Sequence, residues 1–368
     1  MIKSGFVAGL FSTICITGGA IAAEQPQEDG ELSVKIFGLG HVSIDSRDDT
    51  IDDGTEIASN SSRVGFTASW QVSDSLEIFG QVDQGVDLTG DGTNDGNGPG
   101  DTDSIFSRAR DSFIGLRGNY GTIKYGRLGA LNQWVYDYNL FVDQVGDLGN
   151  IWGGSGFAGR ADNSVSYETP EFNGFRALAL HSPQAVDSPG DVSVFKLSYG
   201  KDNVALGVSF STADTDIPGQ EDYQISAVTG SYTFENTSLG DFDTSGSSIG
   251  AGFQSEKDIR GVSGEDRDSF TLGAALKLNA RHTLKGQSTF SMAERADSDA
   301  TQYALGYDYQ ASNDVILYAA YAKTDNDRLA GFTSNNYGHG KAVAPVTPGA
   351  SAETFSVGII VSFDKVVK

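Results

Sequence analysis

The sequence predicts an all-β fold, namely a transmembrane antiparallel β-barrel of about 16 strands. Three observations lead to this prediction: apolar and polar residues alternate over successive short segments, the connections between these segments alternate between short and long, and the chain begins with the features of an export signal. Alternation puts apolar side chains on one face of each strand, which suits a wall between lipid and water.

The amino-terminal segment, residues 1–23, is predicted to be a signal peptide. A lysine precedes an apolar stretch from Phe6 to Ile16, and small residues follow before the first acidic one. This stretch is interrupted by Ser and Thr and ends in a run that suits cleavage after Ala22 or Ala23 rather than retention as a spanning helix. Residues 24–368 are then expected to form a single barrel.

The composition excludes several classes of site and partner. The chain has 25 Lys and Arg against 49 Asp and Glu, a formal net charge of -24, so nucleic acid is not an expected partner. The only cysteine, Cys15, lies in the signal segment, which leaves no disulfide and no cysteine metal site. After the signal no apolar run reaches the length of a membrane helix, but barrel strands need only alternate apolar residues.

The clearest predicted strand is the last one. Phe355, Val357, Ile359, Val361 and Phe363 alternate with residues that are mostly small or polar. Period-two alternation places these two sets on opposite faces of a sheet. The same pattern along the chain gives sixteen predicted strands, at 31–46, 60–72, 75–87, 104–118, 121–128, 161–170, 174–182, 191–200, 203–212, 221–235, 244–256, 267–279, 282–293, 299–311, 314–325 and 352–363.

The connections favour a membrane barrel over a soluble one. Short turns such as 72–75, 118–121 and 200–203 alternate with long segments rich in Gly, Asp and Ser, as expected when only one rim crosses the membrane during assembly. A soluble β-sandwich or solenoid also alternates, but it buries its apolar face and needs no aromatic girdle. Tyrosines that suit such girdles are Tyr303, Tyr307, Tyr309, Tyr318 and Tyr321.

Four short motifs carry a resemblance to a known family. They are NSSRVGF at 60–66, RDSFIGL at 110–116, YGTIKYGR at 120–127 and RADNSVSY at 160–167. In this order they resemble the Gram-negative general diffusion porins. The resemblance implies an outer-membrane barrel, a homotrimer, and a long third loop folded into the lumen, here at about 128–160. The sequence differs from the family in the residues after Phe363, because the last residue is usually an aromatic.

The resemblance also implies which side chains line the channel. Arg63, Arg127 and Arg160 would form the basic wall of a constriction, opposite Asp143 and Asp147 on the inward loop. Opposed rows of charge in a narrow passage favour polar solutes and penalise apolar ones. The alternative is that these arginines only form structural pairs with carboxylates. Strict alternation places Arg127 on the lipid-facing side, so its inward position would require that the strand ends there.

Other motifs point to no catalytic residues and no cofactor. Gly246–Gly250 has the spacing of a nucleophile elbow but starts a predicted strand, and the four histidines are scattered. Clustered aspartates on flexible backbone could bind calcium, although the segment lacks the pattern of a helix-loop-helix calcium site. These aspartates are Asp87, Asp91, Asp95, Asp101 and Asp103.

The expected function is therefore a water-filled outer-membrane channel, not an enzyme, for passive diffusion of small hydrophilic solutes and ions. Its other partner would be the outer-membrane lipid around the barrel. Two further functions stay open, a solute-specific channel and an outer-membrane β-barrel hydrolase. The first would show saturable flux of one solute, and the second would hydrolyse lipid.

Overall fold

A computed structural model describes most of the predicted barrel. The described residues are 32–48, 53–90, 105–153, 155–183, 190–215, 217–240, 242–340 and 347–367. The predicted signal peptide and the aspartates at 91, 95, 101 and 103 lie outside them. Among the described residues there is no helix with the length and apolarity that a membrane span requires.

The described chain is mostly strand. The strands are β1 (Leu32–Asp48), β2 (Asp53–Ser59), β3 (Arg63–Ser73), β4 (Leu76–Val86), β5 (Phe106–Ala109), β6 (Ser112–Gly118), β7 (Gly121–Gly129), β8 (Arg160–Glu168), β9 (Phe175–Ser182), β10 (Val192–Lys201), β11 (Val204–Ala213), β12 (Tyr223–Thr233), β13 (Ser238–Leu239), β14 (Phe242–Asp243), β15 (Ser248–Lys257), β16 (Arg267–Lys277), β17 (His282–Ala293), β18 (Ala300–Ser312), β19 (Val315–Asn326) and β20 (Ala352–Val367). Two short helices, α1 (Asn132–Val135) and α2 (Gly149–Trp152), and one 3-10 turn (Ile259–Gly261) interrupt them.

The sheet closes on itself, because β1 pairs with both β20 and β3. Closure leaves no open sheet edge. The barrel sheet contains eighteen strand segments, but two of its strands are each split in two. Both β2 and β3 pair with β1, one after the other, across a break at residues 60–62, and β5 and β6 pair with β4 in the same way across residues 110–111. Eighteen segments minus these two splits give sixteen strand positions, which confirms the predicted number.

The strand boundaries depart from the prediction in two places. The sequence pattern left 53–59 outside any strand, whereas β2 forms the outer half of the second barrel strand. The last strand does not end at Phe363 but continues to Val367, paired with the start of β1. There Asp364 forms an ion pair with Lys35. The extra residues therefore lengthen the seam that closes the barrel.

The outer face of the wall is apolar and its inner face is mostly polar, the opposite of the arrangement in a soluble protein. On β20, Phe355 and Val357 are 49% and 48% exposed, whereas Thr354 and Ser356 between and beside them are buried. A β-sandwich would bury the apolar set, so this arrangement contradicts the soluble alternative and fits a barrel whose outer face contacts lipid. Of the predicted girdle tyrosines, Tyr318 is an exception, because it points inward and is buried.

The interior contains a hydrophobic core of its own. The segment between β7 and β8, residues 130–159, is called the inner loop below, and it corresponds to the predicted loop at about 128–160. Its buried Trp134, Ile151 and Trp152 belong to one cluster with inward residues of β10 and β12, such as Val194 and Ile225. The inner loop is therefore held against the inside of the wall by apolar contact as well as by hydrogen bonds.

Glycines on the inner face make room for the aromatic side chains of this loop. A Cβ at Gly250 of β15 would lie 2.5 Å from the Tyr138 ring, and one at Gly306 of β18 would lie 2.8 Å from the Phe141 ring. Both distances are shorter than real carbon contacts allow. A glycine at each position is therefore required for the loop to lie this close to the wall.

We expect Gly250→Ala to weaken docking of the inner loop by roughly 1–3 kcal/mol, because the new methyl group overlaps Tyr138. The measurement is the loss of near-ultraviolet circular dichroism with temperature in detergent. Gly200→Ala on β10 is the matched control, since a Cβ there meets nothing within 4 Å. Equal stability of the two variants would contradict the tight approach of the loop.

Candidate pore constriction

A cavity of about 260 Å³ lies between one side of the wall and the inner loop. Four guanidinium groups face it from the wall, and polar or aromatic side chains face it from the loop. None of the described residues that line it is Asp or Glu. The wall residues are Arg108, Arg110, Arg127 and Arg160, and the loop residues include Asn132, Tyr136, Asn150 and Phe157.

Arg127 reaches the cavity because of a β-bulge. The register between β7 and β8 shifts between Gly126 and Leu128, and Gly126 has a φ of +151°. A Cβ at Gly126 would lie 2.3 Å from the Ser112 carbonyl oxygen, so only glycine fits. The bulge turns Arg127 inward although Tyr125, two residues earlier, faces outward with 58% exposure. Arg127 therefore points inward although strict alternation would point it outward. The cause is a bulge within the strand, whereas from the sequence we expect the strand to end there.

Four arginines of this region each have a carboxylate within 4 Å. Asp143 alone among these carboxylates belongs to the inner loop, and the other three belong to the wall. The wall carboxylates fix the guanidinium groups without covering them, since three of the four paired arginines still line the cavity. The pairs are Arg63–Asp143 at 3.6 Å, Arg110–Asp83 at 3.6 Å, Arg127–Asp162 at 2.5 Å and Arg160–Asp111 at 2.5 Å.

The two predicted loop carboxylates have different environments. Asp143 lies near Arg63, as expected for a group opposite the basic wall. Asp147 is fully buried and accepts hydrogen bonds from the Asn139 amide and from the backbone N–H groups of Asp143 and Gly149, at 2.8, 2.8 and 2.7 Å. Burial and then the neighbouring Asp143 carboxylate raise the pKa of Asp147 to about 7.

Asp147 therefore does not face water across from the arginines, contrary to the expectation from sequence. It is enclosed by the loop because it closes a tight turn whose N–H groups need an acceptor. Its role in the described structure is to hold the backbone of Asp143, one turn away, in place.

Lysines of the wall fix the inner loop at two points. Lys196 of β10 pairs with Asp137 and also donates a hydrogen bond to a loop carbonyl. Lys285 of β17 is buried and donates to Gln144 of the loop at 2.9 Å while pairing with Asp308 of β18, also at 2.9 Å. The inner loop is therefore held by these two cations as well as by its hydrophobic core.

Gln254 of β15 joins the two helices of the inner loop. Its side-chain oxygen accepts from the Trp134 indole N–H at 2.9 Å, and its amide donates to the Trp152 carbonyl at 3.0 Å. Trp134 is in α1 and Trp152 is in α2. One fully buried side chain therefore satisfies polar groups at both ends of the loop.

A second inward segment was not found from the sequence. Residues 327–340, called the last loop below, follow β19 and pack on the inner loop. Tyr337 lines the arginine cavity and donates a hydrogen bond to Asn132 at 2.6 Å. The Asn150 side-chain oxygen accepts from the backbone N–H groups of Asn336 and Tyr337 at 2.9 and 2.8 Å. The sequence signal for this loop is two aromatics, Phe332 and Tyr337, and one histidine within a Gly-rich segment.

Other candidate sites find no support among the described residues. Asp87 is the one described member of the aspartate cluster, and it accepts hydrogen bonds from Thr89. The described residues contain no group of three or more acidic, His or Cys side chains that could hold a metal ion. The Gly246–Gly250 segment leads into β15 and not into a helix, so it is not a nucleophile elbow.

Comparison with known proteins identifies the family. Residues 9–329 match the profile of a family described as Gram-negative porin. The chain belongs to this family. Outer membrane porin protein 32 of Delftia acidovorans is 26% identical over 326 residues, which cover 83% of this chain and 88% of that protein. Major outer membrane protein P.IB of Neisseria gonorrhoeae is 31% identical over 143 residues, which cover 38% of this chain and 37% of that protein. The match to the latter thus spans little more than a third of its length.

Solved structures agree with the fold. An anion-selective porin from Comamonas acidovorans superimposes with a TM-score of 0.74 over 90% of this chain and 100% of that one, at 23% identity. Outer-membrane OmpT of Vibrio cholerae has a TM-score of 0.63 over 93% of this chain and all of its own, at 19% identity. The predicted family and the predicted sixteen-stranded outer-membrane barrel of a Gram-negative bacterium are confirmed by family and fold.

We expect Gln254→Leu to loosen the inner loop, because it leaves the Trp134 N–H and the Trp152 carbonyl without partners, at roughly 1–3 kcal/mol for each buried group. The measurement is acrylamide quenching in a Trp70→Phe background, since the chain has only 3 tryptophans and the other two are in the loop. Quenching should increase in the variant. Gln224→Leu, at an exposed position of β12, is the matched control and should leave it unchanged.

Proposed function

We propose that the barrel is a passive diffusion channel for small hydrophilic solutes, and that its constriction prefers anions. The observation that carries this proposal is the arginine cavity, which four guanidinium groups line and no Asp or Glu of the described residues lines. Solutes that cross at this point meet positive charge on the wall and mostly neutral polar groups on the loop. The chain's relative from Comamonas acidovorans is described as anion-selective.

The physical basis is electrostatic. Two unit charges about 4 Å apart interact by roughly 1 kcal/mol in bulk water and by about 4 kcal/mol at an effective dielectric constant of 20. A narrow passage bounded by protein lies between these limits, so the arginines act strongly on a passing ion. The paired carboxylates of Asp83, Asp111 and Asp162 reduce the net field of the arginines, but they do not line the cavity, whereas their arginine partners do.

The proposed constriction is lined by more arginines and fewer carboxylates than the sequence predicts. Arg63, Arg127 and Arg160 stay in the proposed wall, joined by Arg110 and Arg108, and Asp143 stays opposite Arg63. Asp147 leaves the proposed lining because its carboxylate is fully buried. Tyr337 of the last loop joins it.

A homotrimer is part of the proposal. A structure of Vibrio cholerae OmpT, 20% identical with a TM-score of 0.64, is described as a trimer form. The exposed apolar outer face of this barrel can contact either lipid or another copy. Conductance that rises in groups of three equal steps would support three channels per particle.

Recording from the purified, detergent-extracted protein in a planar bilayer tests the function. We expect stepwise openings, flux that does not saturate, and a zero-current potential in a salt gradient whose sign indicates anion preference. Saturation by one solute would instead indicate a solute-specific channel. Folded protein without conductance would contradict the channel.

We expect Arg63→Ala together with Arg160→Ala to lower the anion-to-cation permeability ratio several-fold, because a unit charge beside the path is worth roughly 1 kcal/mol or more. The unitary conductance should also change, since Arg160 lines the cavity and Arg63 donates a hydrogen bond to Ser61, which lines it as well. Arg281→Ala, in the turn before β17 and away from the cavity, is the matched control. An unchanged zero-current potential in the double variant would overturn the basic wall.

A further inference from the structure

The last loop is hydrogen-bonded to the inner loop at several points. Besides the contacts of Tyr337, the Ser334 carbonyl accepts hydrogen bonds from the backbone N–H of Gly146 at 2.8 Å and from the Asn150 amide at 3.1 Å. Gly338 lies so close to the inner loop that a Cβ would be 2.2 Å from a carboxylate oxygen of Asp143. The two loops therefore form one packed unit at the side of the channel.

His339 of the last loop is a fully buried titratable group of this unit. Its Nε2 lies 2.9 Å from a carboxylate oxygen of Asp45 on β1, and its Nδ1 lies 3.0 Å from the Asp143 carbonyl oxygen. Both His339 and Asp45 are fully buried. A carboxylate and a carbonyl only accept hydrogen bonds, so both ring nitrogens must donate. The ring that satisfies this geometry is a positively charged imidazolium.

Asp143, the residue that His339 holds, has an unfavourable backbone conformation. Its φ is +56°, in the left-handed region that residues other than glycine seldom adopt. Such a conformation persists only where its surroundings hold it. Here the Asp147 carboxylate accepts from the Asp143 N–H, and His339 donates to the Asp143 carbonyl, so both sides of the residue are held.

We propose that His339 is a positioning residue of the channel, which as an imidazolium ties Asp45 of the wall to the backbone of Asp143. This contact keeps the Asp143 carboxylate near Arg63 and the inner loop in its docked position. The inference deepens the proposed function, on which it rests, because it names what fixes the loop side of the proposed constriction.

Protonation of His339 couples the position of the loop to pH. Asp45 and His41 from β1 and Asp143 from the inner loop face His339, and Asp147 lies next to Asp143. Beyond His41 are further charged or titratable groups, namely Lys285 of β17, Arg63 of β3 and Tyr318 of β19. The His41 and His339 rings are 6.2 Å apart. Burial alone would lower the pKa of His339, but the Asp45 charge and the hydrogen bonds to Asp45 and the Asp143 carbonyl raise it above its ordinary value of 6.5.

The raised pKa of His339 sets the direction in which docking of the inner loop changes with pH. A group whose pKa is higher in the docked state makes its full contribution to docking when the pH is below its ordinary pKa. This contribution is lost as the pH rises through the pKa of the docked state. Docking by His339 should therefore weaken above pH 6.5. The raised pKa of Asp147, about 7, acts in the same direction between about pH 4 and pH 7. Of His339 and Asp147, only His339 makes docking depend on pH above about pH 7.

Bilayer recordings of the full protein between pH 5.5 and 9 test the proposal. At pH 5.5 to 6.5 we expect an open current at one conductance level, without transitions. At higher pH we expect a second conductance level. Its occupancy should grow by at most about tenfold per pH unit, because one proton is released. His339→Gln, which cannot carry charge, should occupy this second level at all pH values. His339→Lys, which stays charged, should restore the quiet current throughout.

His181→Gln is the matched control. His181 is on β9, its ring contacts Ser193 at 3.0 Å, and it has no contact with either loop among the described hydrogen bonds. This variant should keep the native pH profile. A flat native profile, or a native profile in His339→Gln, would overturn the positioning role.

The two proposals can fail separately. Channels that conduct without pH dependence contradict only the role of His339, whereas folded protein that does not conduct contradicts the proposed function. In the latter case, acrylamide quenching of Trp134 and Trp152 against pH still decides the question, because it reports docking without any current. If His339→Gln does not fold, the native profile and His339→Lys remain decisive.

Discussion

The width of the barrel is the constraint on which the rest of the structure depends. A closed sheet of sixteen strands surrounds a lumen too wide for its own side chains to fill. Selectivity then requires material brought in from outside the sheet, and a loop inside a wet lumen stays in place only if it has its own packed core. The inner loop meets this requirement with Trp134, Ile151 and Trp152 packed against apolar residues that the wall turns inward.

The wall adapts to this loop by breaking its own alternation. On β10 and β12 some inward positions are apolar, as at Val194 and Ile225, and on β15 and β18 some are glycine, as at Gly250 and Gly306. On the opposite side the inward positions are arginines held by carboxylates of neighbouring strands. The barrel is therefore asymmetric, with one side built to hold the loop and the other built to present charge. Arginine suits the second role, because its planar group can pair with a carboxylate and still expose a face to the passage.

Sequence patterns predicted what depends on local periodicity. The strands, their apolar faces and the approximate span of the inner loop follow from alternation and connection length. The last strand shows this from Phe355 to Val361, where the odd-numbered residues are more exposed than the even-numbered ones. The patterns failed where the structure depends on partners that are distant in sequence. The inward turn of Arg127 requires a bulge against β8, and the burial of Asp147 requires a turn that closes around it.

The last loop was missed for the same reason. Its contacts with the inner loop join residues nearly two hundred positions apart, such as Asn150 and Tyr337, and no local pattern records such a pairing. Polar residues in a Gly-rich connection are typical of a solvent-exposed loop, whereas here several of them form hydrogen bonds with the inner loop, which has no strand to pair with. A buried polar residue looks like an exposed one until its partner is known.

The overall charge of the chain and the charge of its cavity have opposite signs, and distance decides which of them acts on a solute. The chain carries a formal charge of -24, but charges on the solvated rim are screened over about 8 Å at physiological ionic strength. A solute in the wide part of the lumen can stay farther than this screening length from most of the rim charges. A solute in the cavity cannot stay that far from the arginines, because the guanidinium groups and the inner loop enclose it within a few ångströms and leave little room for counter-ions. Selectivity should therefore follow the few arginines at the constriction and not the many carboxylates outside it, and it should depend on how firmly the loop is held against them.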